Sequence, residues 1–202
     1  MSTPLEGIKI LDMTHFQSGP SATQLLAWLG AEVIKIEEPL IGDKARIEMS
    51  TDSDEDSFYF RIFNSNKKSI CLDIKSSLGL NIFKKLIKIS DVIVENFAPG
   101  YMDKLGLDYK NLKKINPKII YASIKGYGSK GINSKYKSFE GVAQAASGIM
   151  STNGEPNNEP QIVSAGVSDS GSGLHCVIGI LTAIINRSKT QKGDFIDISM
   201  QD

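Results

Sequence analysis

Gln17-Ser18-Gly19-Pro20 stands where a short apolar run gives way to a helix. The free backbone N–H groups and dipole of such a helix start attract anionic groups. Asn96-Phe97-Ala98-Pro99-Gly100 offers an amide and an aromatic ring at a second strand end. Taken separately, both segments are ordinary turn chemistry. Asp169 lies in Val163-Ser-Ala-Gly-Val-Ser-Asp-Ser-Gly-Ser-Gly173, a stretch nearly free of bulk that a large ligand could approach closely. Asp169 also precedes a long apolar helix, so a plain N-cap is the competing reading. The two roles are compatible, because a helix N-terminus keeps a carboxylate charged and ready to attack an activated acyl group. Residue type and spacing leave cap and catalyst both open.

Other chemistries lack their residues. No Gly-x-Gly-x-x-Gly follows the first strand and no phosphate-cradling Walker loop is present, which argues against a standard dinucleotide oxidoreductase. His15 and His175 make no metal-ligand spacing with Cys71 and Cys176, so no metal site is expected. A serine nucleophile with a histidine base is hard to assemble from two histidines.

The elements that must position these residues alternate along the chain. Strands are expected over residues 7–13, 32–37, 69–74, 91–96, 118–124 and 194–200, from their β-branched runs. Helices are expected over 22–29, 78–89, most of 101–115, 141–150 and 174–186, from apolar residues at helical spacing. Pro20 suits a first helical turn, and Gly30 ends that helix. Residues 50–57, rich in Asp and Ser, read as an exposed loop. Strands separated by helices imply right-handed crossovers and an α/β, doubly wound, mainly parallel sheet. In such sheets ligands sit beyond the carboxyl ends of the strands. That rule nominates residues 14–20, 37–43, 72–75, 95–98, 124–128 and the loop before 170.

Bulk properties bound the function. The 202 residues are 41% hydrophobic and 23% charged, ordinary for one globular domain. Twenty-three basic residues balance twenty-three acidic ones, so no global attraction to nucleic acid or anionic lipid is expected. The clustered lysines at 67–68, 84–85 and 113–114 read as solvated faces. Both cysteines, in apolar runs, read as buried free thiols of a reducing compartment. No secretory signal is visible, and the apolar stretch 174–185 is shorter than the about 20 residues that span a bilayer, so a cytoplasmic location is expected. The chain stops at Asp202 directly after a strand, an ending expected of a truncated or split chain.

Several motifs in order carry a resemblance: Met1-Ser-Thr-Pro-Leu-Glu-Gly-Ile-Lys-Ile-Leu-Asp12, Gln17-Ser-Gly-Pro-Ser21 and Leu26-Ala-Trp-Leu-Gly-Ala-Glu-Val-Ile-Lys-Ile-Glu37. Asn64-Ser-Asn-Lys-Lys-Ser69, Val94-Glu-Asn-Phe97, Ser123-Ile-Lys-Gly126, Ala143-Gln-Ala-Ala146 and Ser199-Met-Gln-Asp202 continue it over the whole chain. Together they resemble the class III CoA-transferases, and within them the branch that uses formyl-CoA and oxalate. The resemblance implies the Rossmann-like large domain of a two-domain subunit, with the smaller domain absent, and an interlocked homodimer when full length. It implies an acyl-CoA thioester and a small carboxylic acid as substrates, with no tightly bound cofactor. Asp169 would be the nucleophile, forming an anhydride and then an aspartyl-CoA thioester. Gln17 would donate to the developing negative charge, and Glu140 would be the acidic residue beside the nucleophile. CoA contacts would come from Gln17, Ser18, Leu72, Asp73, Ile74, Lys75, Asn96, Phe97, Ala98, Lys104, Lys137, Ser138, Phe139 and Glu140. Lys75, Lys104 and Lys137 would meet its phosphates as mobile point charges.

Two positions depart from that branch. Glu38 stands where an arginine usually meets the adenine end, and Phe139 where a tyrosine is common. The racemase branch of the family needs a histidine near 139–140, and neither His15 nor His175 falls there. A non-catalytic CoA-binding fragment and a succinyl-CoA-type transferase stand as alternative readings.

Overall fold

A computed structural model describes residues 2–48, 50 and 55–202. Five strands form early and centrally in the chain: β1 (Lys9–Met13), β2 (Glu32–Glu37), β3 (Lys68–Cys71), β4 (Val92–Glu95) and β5 (Ile120–Lys125). With β6 (Phe195–Ser199) they make one sheet in the order β3-β2-β1-β4-β5-β6, every pair parallel. This is the doubly wound order, with the topological switch between β1 and β4. The central strands are buried on both sides, as parallel strands covered by helices must be. Successive residues divide between two cores, Ile10, Val92 and Val94 facing one way and Leu11 and Ile93 the other.

One core is closed by α1 (Ser18–Trp28) and α7 (Val167–Thr190), through Ala22, Leu26, Cys176 and Ile180. The opposite core is closed by α3 (Ser77–Lys88), α4 (Tyr101–Lys104) and α5 (Tyr109–Ile115), through Phe83, Ile87, Met102 and Leu112. Two further helices, α2 (Phe58–Asn64) and α6 (Glu140–Ser147), stand at the margins.

The α/β parallel reading holds, with local corrections. β3 ends at Cys71, so Leu72, Asp73 and Ile74 leave the sheet instead of extending it. As part of an edge strand Cys71 is exposed, against the expected burial, whereas Cys176 is buried. The expected loop 50–57 falls partly on 51–54, which lie outside the described residues; its end, Ser57, caps α2 by accepting from the Phe60 N–H at 3.0 Å. The aromatic run 58–63 is helical.

The largest correction concerns α7, which begins seven residues before Leu174 and takes in most of the small-residue segment. Gly173 marks where α1 packs against it at close range. A Cβ on Gly173 would fall 2.2 Å from Ser21 Oγ and 2.9 Å from the Ser18 carbonyl. At 24 residues α7 is about 36 Å long, which by length and composition would cross a bilayer. Its buried face is the core lining above.

Candidate active site

The cleft lies at the switch point, beyond the carboxyl ends of β1, β4 and β5. It has a volume of about 390 Å³ and takes residues from every nominated segment, including Ser18, Glu38, Lys75, Asn96, Phe97, Lys125 and Asp169. Segment 72–75 reaches it through Lys75 alone, while Leu72, Asp73 and Ile74 line a small adjoining cavity.

Loop 14–17 is held open by buried charges. Phe16 adopts φ 61°, a left-handed conformation unusual for a non-glycine residue. Its N–H donates to Asp43 Oδ1 at 3.2 Å. Asp43 in turn pairs at 2.8 Å with Lys35 Nζ, which also donates to the Thr14 carbonyl at 2.7 Å. Burial would raise the Asp43 carboxyl, but hydrogen bonding from His15 and the charge of Lys35 hold it well below the usual range. The Asn96 amide closes the loop from β4: it accepts from His15 N at 2.9 Å and donates to His15 O at 2.8 Å and to Ser18 Oγ at 3.1 Å. Asn96 is therefore turn chemistry and cleft wall at once.

Asp169 is the third residue of α7, not its N-cap; that place belongs to Gly166. The N–H groups an acidic residue at a helix start would use are taken by Glu140, from the first turn of α6. Glu140 Oε1 accepts from Ser168 N at 2.9 Å and Oε2 from Asp169 N at 2.6 Å. The Asp169 carboxyl thus lies half-buried beside a second carboxylate. Burial first, then Glu140, push it up to about 7, while a hydrogen bond from Ser18 favours the ionised form. This corrects the expectation that the helix terminus keeps Asp169 charged.

Gln17 caps the start of α1 without a side-chain bond to its own helix. Its side chain reaches across instead, Nε2 donating to Ser170 Oγ at 2.9 Å and Oε1 accepting from Tyr59 OH at 3.3 Å. Gln17, Ser18, Glu140 and Asp169 therefore meet where α1, α6 and α7 begin. Of these Ser18 and Asp169 line the cleft, together with Lys137, Ser138 and Phe139, whose ring is edge-on to Phe16 at 6.1 Å; Gln17 and Glu140 stand behind its wall.

Two expected phosphate cations stand differently. Lys104 ends α4, exposed, and lines neither cavity. Lys75 lines the cleft but is bound at 2.7 Å to Glu38, the residue that departs from the formyl-CoA branch. Among the described residues Lys44 and Lys137 line the cleft without an ion pair.

Sequence reasoning did not single out Tyr59 or Gln144 as site residues. Gln144, fully buried one turn after Glu140, donates to Glu140 Oε1 at 2.5 Å and grips Val163 through both its N–H and carbonyl at 2.8 Å. Its i, i+4 spacing from Glu140 was the available signal. Tyr59 lies on α2, in the part of the chain whose helix the sequence did not disclose. Among the described residues no cluster of His, Cys, Asp and Glu could hold a metal ion.

The sequence profile of CoA-transferase family III matches residues 5–202. The chain is 46% identical over its full length to a formyl-CoA:oxalate CoA-transferase of Escherichia coli O6:H1 and 49% identical to one of Streptomyces avermitilis. It spans about half the length of these relatives, 49% of each. A crystal structure of a CAIB/BAIF family protein from Brucella suis superposes with a TM-score of 0.94 at 38% identity, covering all of this chain and 54% of that one. A Mycobacterium tuberculosis protein does so with a TM-score of 0.90 at 33% identity, over all of this chain and 55% of its own. A switch-point cleft with Asp169 in its wall, on a fold and sequence shared over the whole chain, makes this a member of CoA-transferase family III.

Proposed function

We propose that the full-length protein moves CoA from an acyl-CoA, formyl-CoA by likeness to its relatives, to a carboxylic acid, oxalate by the same likeness, with Asp169 as nucleophile. The observation that carries the reading is the approach of Gln17 to the start of α7, where its Nε2 meets Ser170 Oγ at 2.9 Å, next in the chain to Asp169 in the cleft wall.

The Asp169 carboxylate attacks the thioester carbonyl, the C–S bond breaks, and CoA leaves as its thiolate, giving an aspartyl-formyl anhydride. The thiolate attacks the aspartyl carbonyl and expels formate, giving the aspartyl-CoA thioester. Oxalate attacks that thioester and releases the thiolate again, which takes the oxalyl group from the second anhydride and frees Asp169. Each step exchanges one acyl partner, so one difficult transfer becomes several easier ones. Gln17 Nε2 has a second hydrogen besides the one given to Ser170, and it serves as donor to the tetrahedral oxyanion. A carboxyl raised to about 7 ionises within the neutral range, where its basicity makes it a better nucleophile than an ordinary aspartate.

This chain would be the large domain of a subunit completed by a smaller one, a reading supported by its spanning half the relatives' length. The interlocked homodimer and the cytoplasmic location belong to the same proposal. The Glu38–Lys75 pair supports a second acyl-CoA, such as succinyl-CoA, only through an altered CoA grip, and does not alter the nucleophile.

Intact-mass spectrometry of the full-length protein incubated with formyl-CoA, followed by peptide mapping, tests the proposal. A CoA thioester on the Asp169 peptide, lost in Asp169→Ala while CoA still binds, is the expected result. CoA binding with no adduct from any acyl-CoA would leave a binding role in its place.

A further inference from the structure

Lys125 lines the cleft and is a cation, so at first sight it is a partner for an anionic ligand. Its contacts say otherwise. Lys125 Nζ lies 2.6 Å from Glu95 Oε2 and 2.6 Å from the Phe97 carbonyl, with the two side chains 11% and 2% exposed. Glu95 Oε2 also accepts from the Phe97 N–H at 3.0 Å, and Oε1 from Ser123 Oγ at 2.6 Å. Both backbone groups of Phe97 are thus held by one ion pair. The strands dictate this: Glu95 is in register with Ser123, and Lys125, two residues on, shares that face of β5. The Phe97 ring then sits 5.2 Å from the His15 ring and 4.6 Å from the Tyr101 ring.

We propose that Lys125 and Glu95 are a positioning pair that fixes the Asn96–Phe97–Ala98 segment as a preformed floor for CoA, and that the Lys125 ammonium is not itself a ligand contact. The inference rests on the CoA reading of the cleft given above. A segment already ordered before binding loses little conformational freedom when the ligand arrives, and that saving is read as affinity. An ammonium neutralised by Glu95 adds little to the field felt by phosphates, so affinity lost with the pair is insensitive to salt.

The test compares the full-length wild type with Glu95→Leu/Lys125→Met, which removes both charges and strands neither. Lys125→Arg, which keeps the cation and its donors, is the companion variant. CoA binding is measured by calorimetry at low and high salt, and hydrogen exchange is followed at the peptide carrying residues 96–98. Retained urea-unfolding cooperativity verifies the fold. The expected result is CoA binding about tenfold weaker in the double variant, from two lost charge-assisted bonds. Its salt dependence stays that of the wild type, exchange at Phe97 is faster, and Lys125→Arg recovers most of the affinity. Wild-type affinity in the double variant overturns the proposal, as does a flatter salt dependence, which would make Lys125 a phosphate contact. A wild type that binds no CoA overturns the ligand reading itself; exchange at Phe97 then still reports separately whether the pair orders the segment.

Discussion

Asp169→Asn is expected to make the protein more stable at neutral pH while removing transfer. The Asp169 carboxyl is moved from an ordinary 3.8 to about 7 by burial and by Glu140. In the unfolded chain it ionises near 4, so between about pH 4 and about 7 the folded state holds a proton that the unfolded state has released. Stability therefore falls as pH rises through that window and levels off above it. Three pH units at 1.36 kcal/mol each set a ceiling of about 4 kcal/mol. Asp169 is only partly buried, so solvent screens some of this. The third helical position also returns up to about 1 kcal/mol to a negative charge. Asparagine, neutral and nearly isosteric, is thus expected to stabilise by about 1–2 kcal/mol at pH 8. Urea unfolding at pH 4.5 and pH 8 measures it: the gap between variant and wild type is expected to be near zero at the lower pH and full at the higher. A variant no more stable than wild type at pH 8, or a gap independent of pH, would refute the account of a strained acidic pair.

Glu140→Gln removes the repelling charge beside Asp169, so the acid limb of kcat/KM against pH in the full-length protein is expected to move to lower pH; an unmoved limb would show that Glu140 acts only as a helix cap. Glu38→Gln frees Lys75 from its 2.7 Å ion pair, and CoA is expected to bind about threefold to tenfold more tightly at low salt, with a steeper loss on adding salt, by calorimetry. Gly166→Ala places a Cβ 2.1 Å from Gln17 Nε2 at a backbone φ of 61°, so Gln17 must move. Transfer is expected to drop by about a hundredfold, the scale of a 1 Å misplacement, with CoA affinity much less affected.

The sheet was legible because its strands are short β-branched runs separated by helical stretches, and β2 falls on the residues expected for it. The helices were harder where packing overrides propensity. Gly171 and Gly173 make the start of α7 read as loop, yet the helix runs through them, and at Gly173 α1 comes too close for a side chain. α2 went unread because the polar stretch before it masks a seven-residue aromatic helix. In the site, residue types located the cleft, since strand ends and glycine-rich starts mark the switch point. They could not disclose that Glu140 occupies the α7 N–H groups, because that contact joins residues 28 and 29 apart through two helix starts. The charge state of Asp169 follows from its burial and from that contact, neither visible in the sequence, and so it was read with the wrong sign. Lys75 was likewise read as free because its partner Glu38 is 37 residues away.

The pairing of α1 with α7 also sets an order of events for the nascent chain. β1, α1 and β2 are neighbours in sequence and can associate early, but one face of α1 waits for a helix that begins about 140 residues later. Contacts this non-local close slowly, since the loop entropy must be met before they form. During synthesis Ala22 and Leu26 stay uncovered until α7 has left the ribosome, and at about 5–20 residues per second that interval is roughly ten to thirty seconds. Half-made chains of this fold therefore present a sticky helix for that time, a ready target for holding chaperones, and a chain broken before residue 167 carries the Asn96–Ala98 wall of the cleft without Asp169.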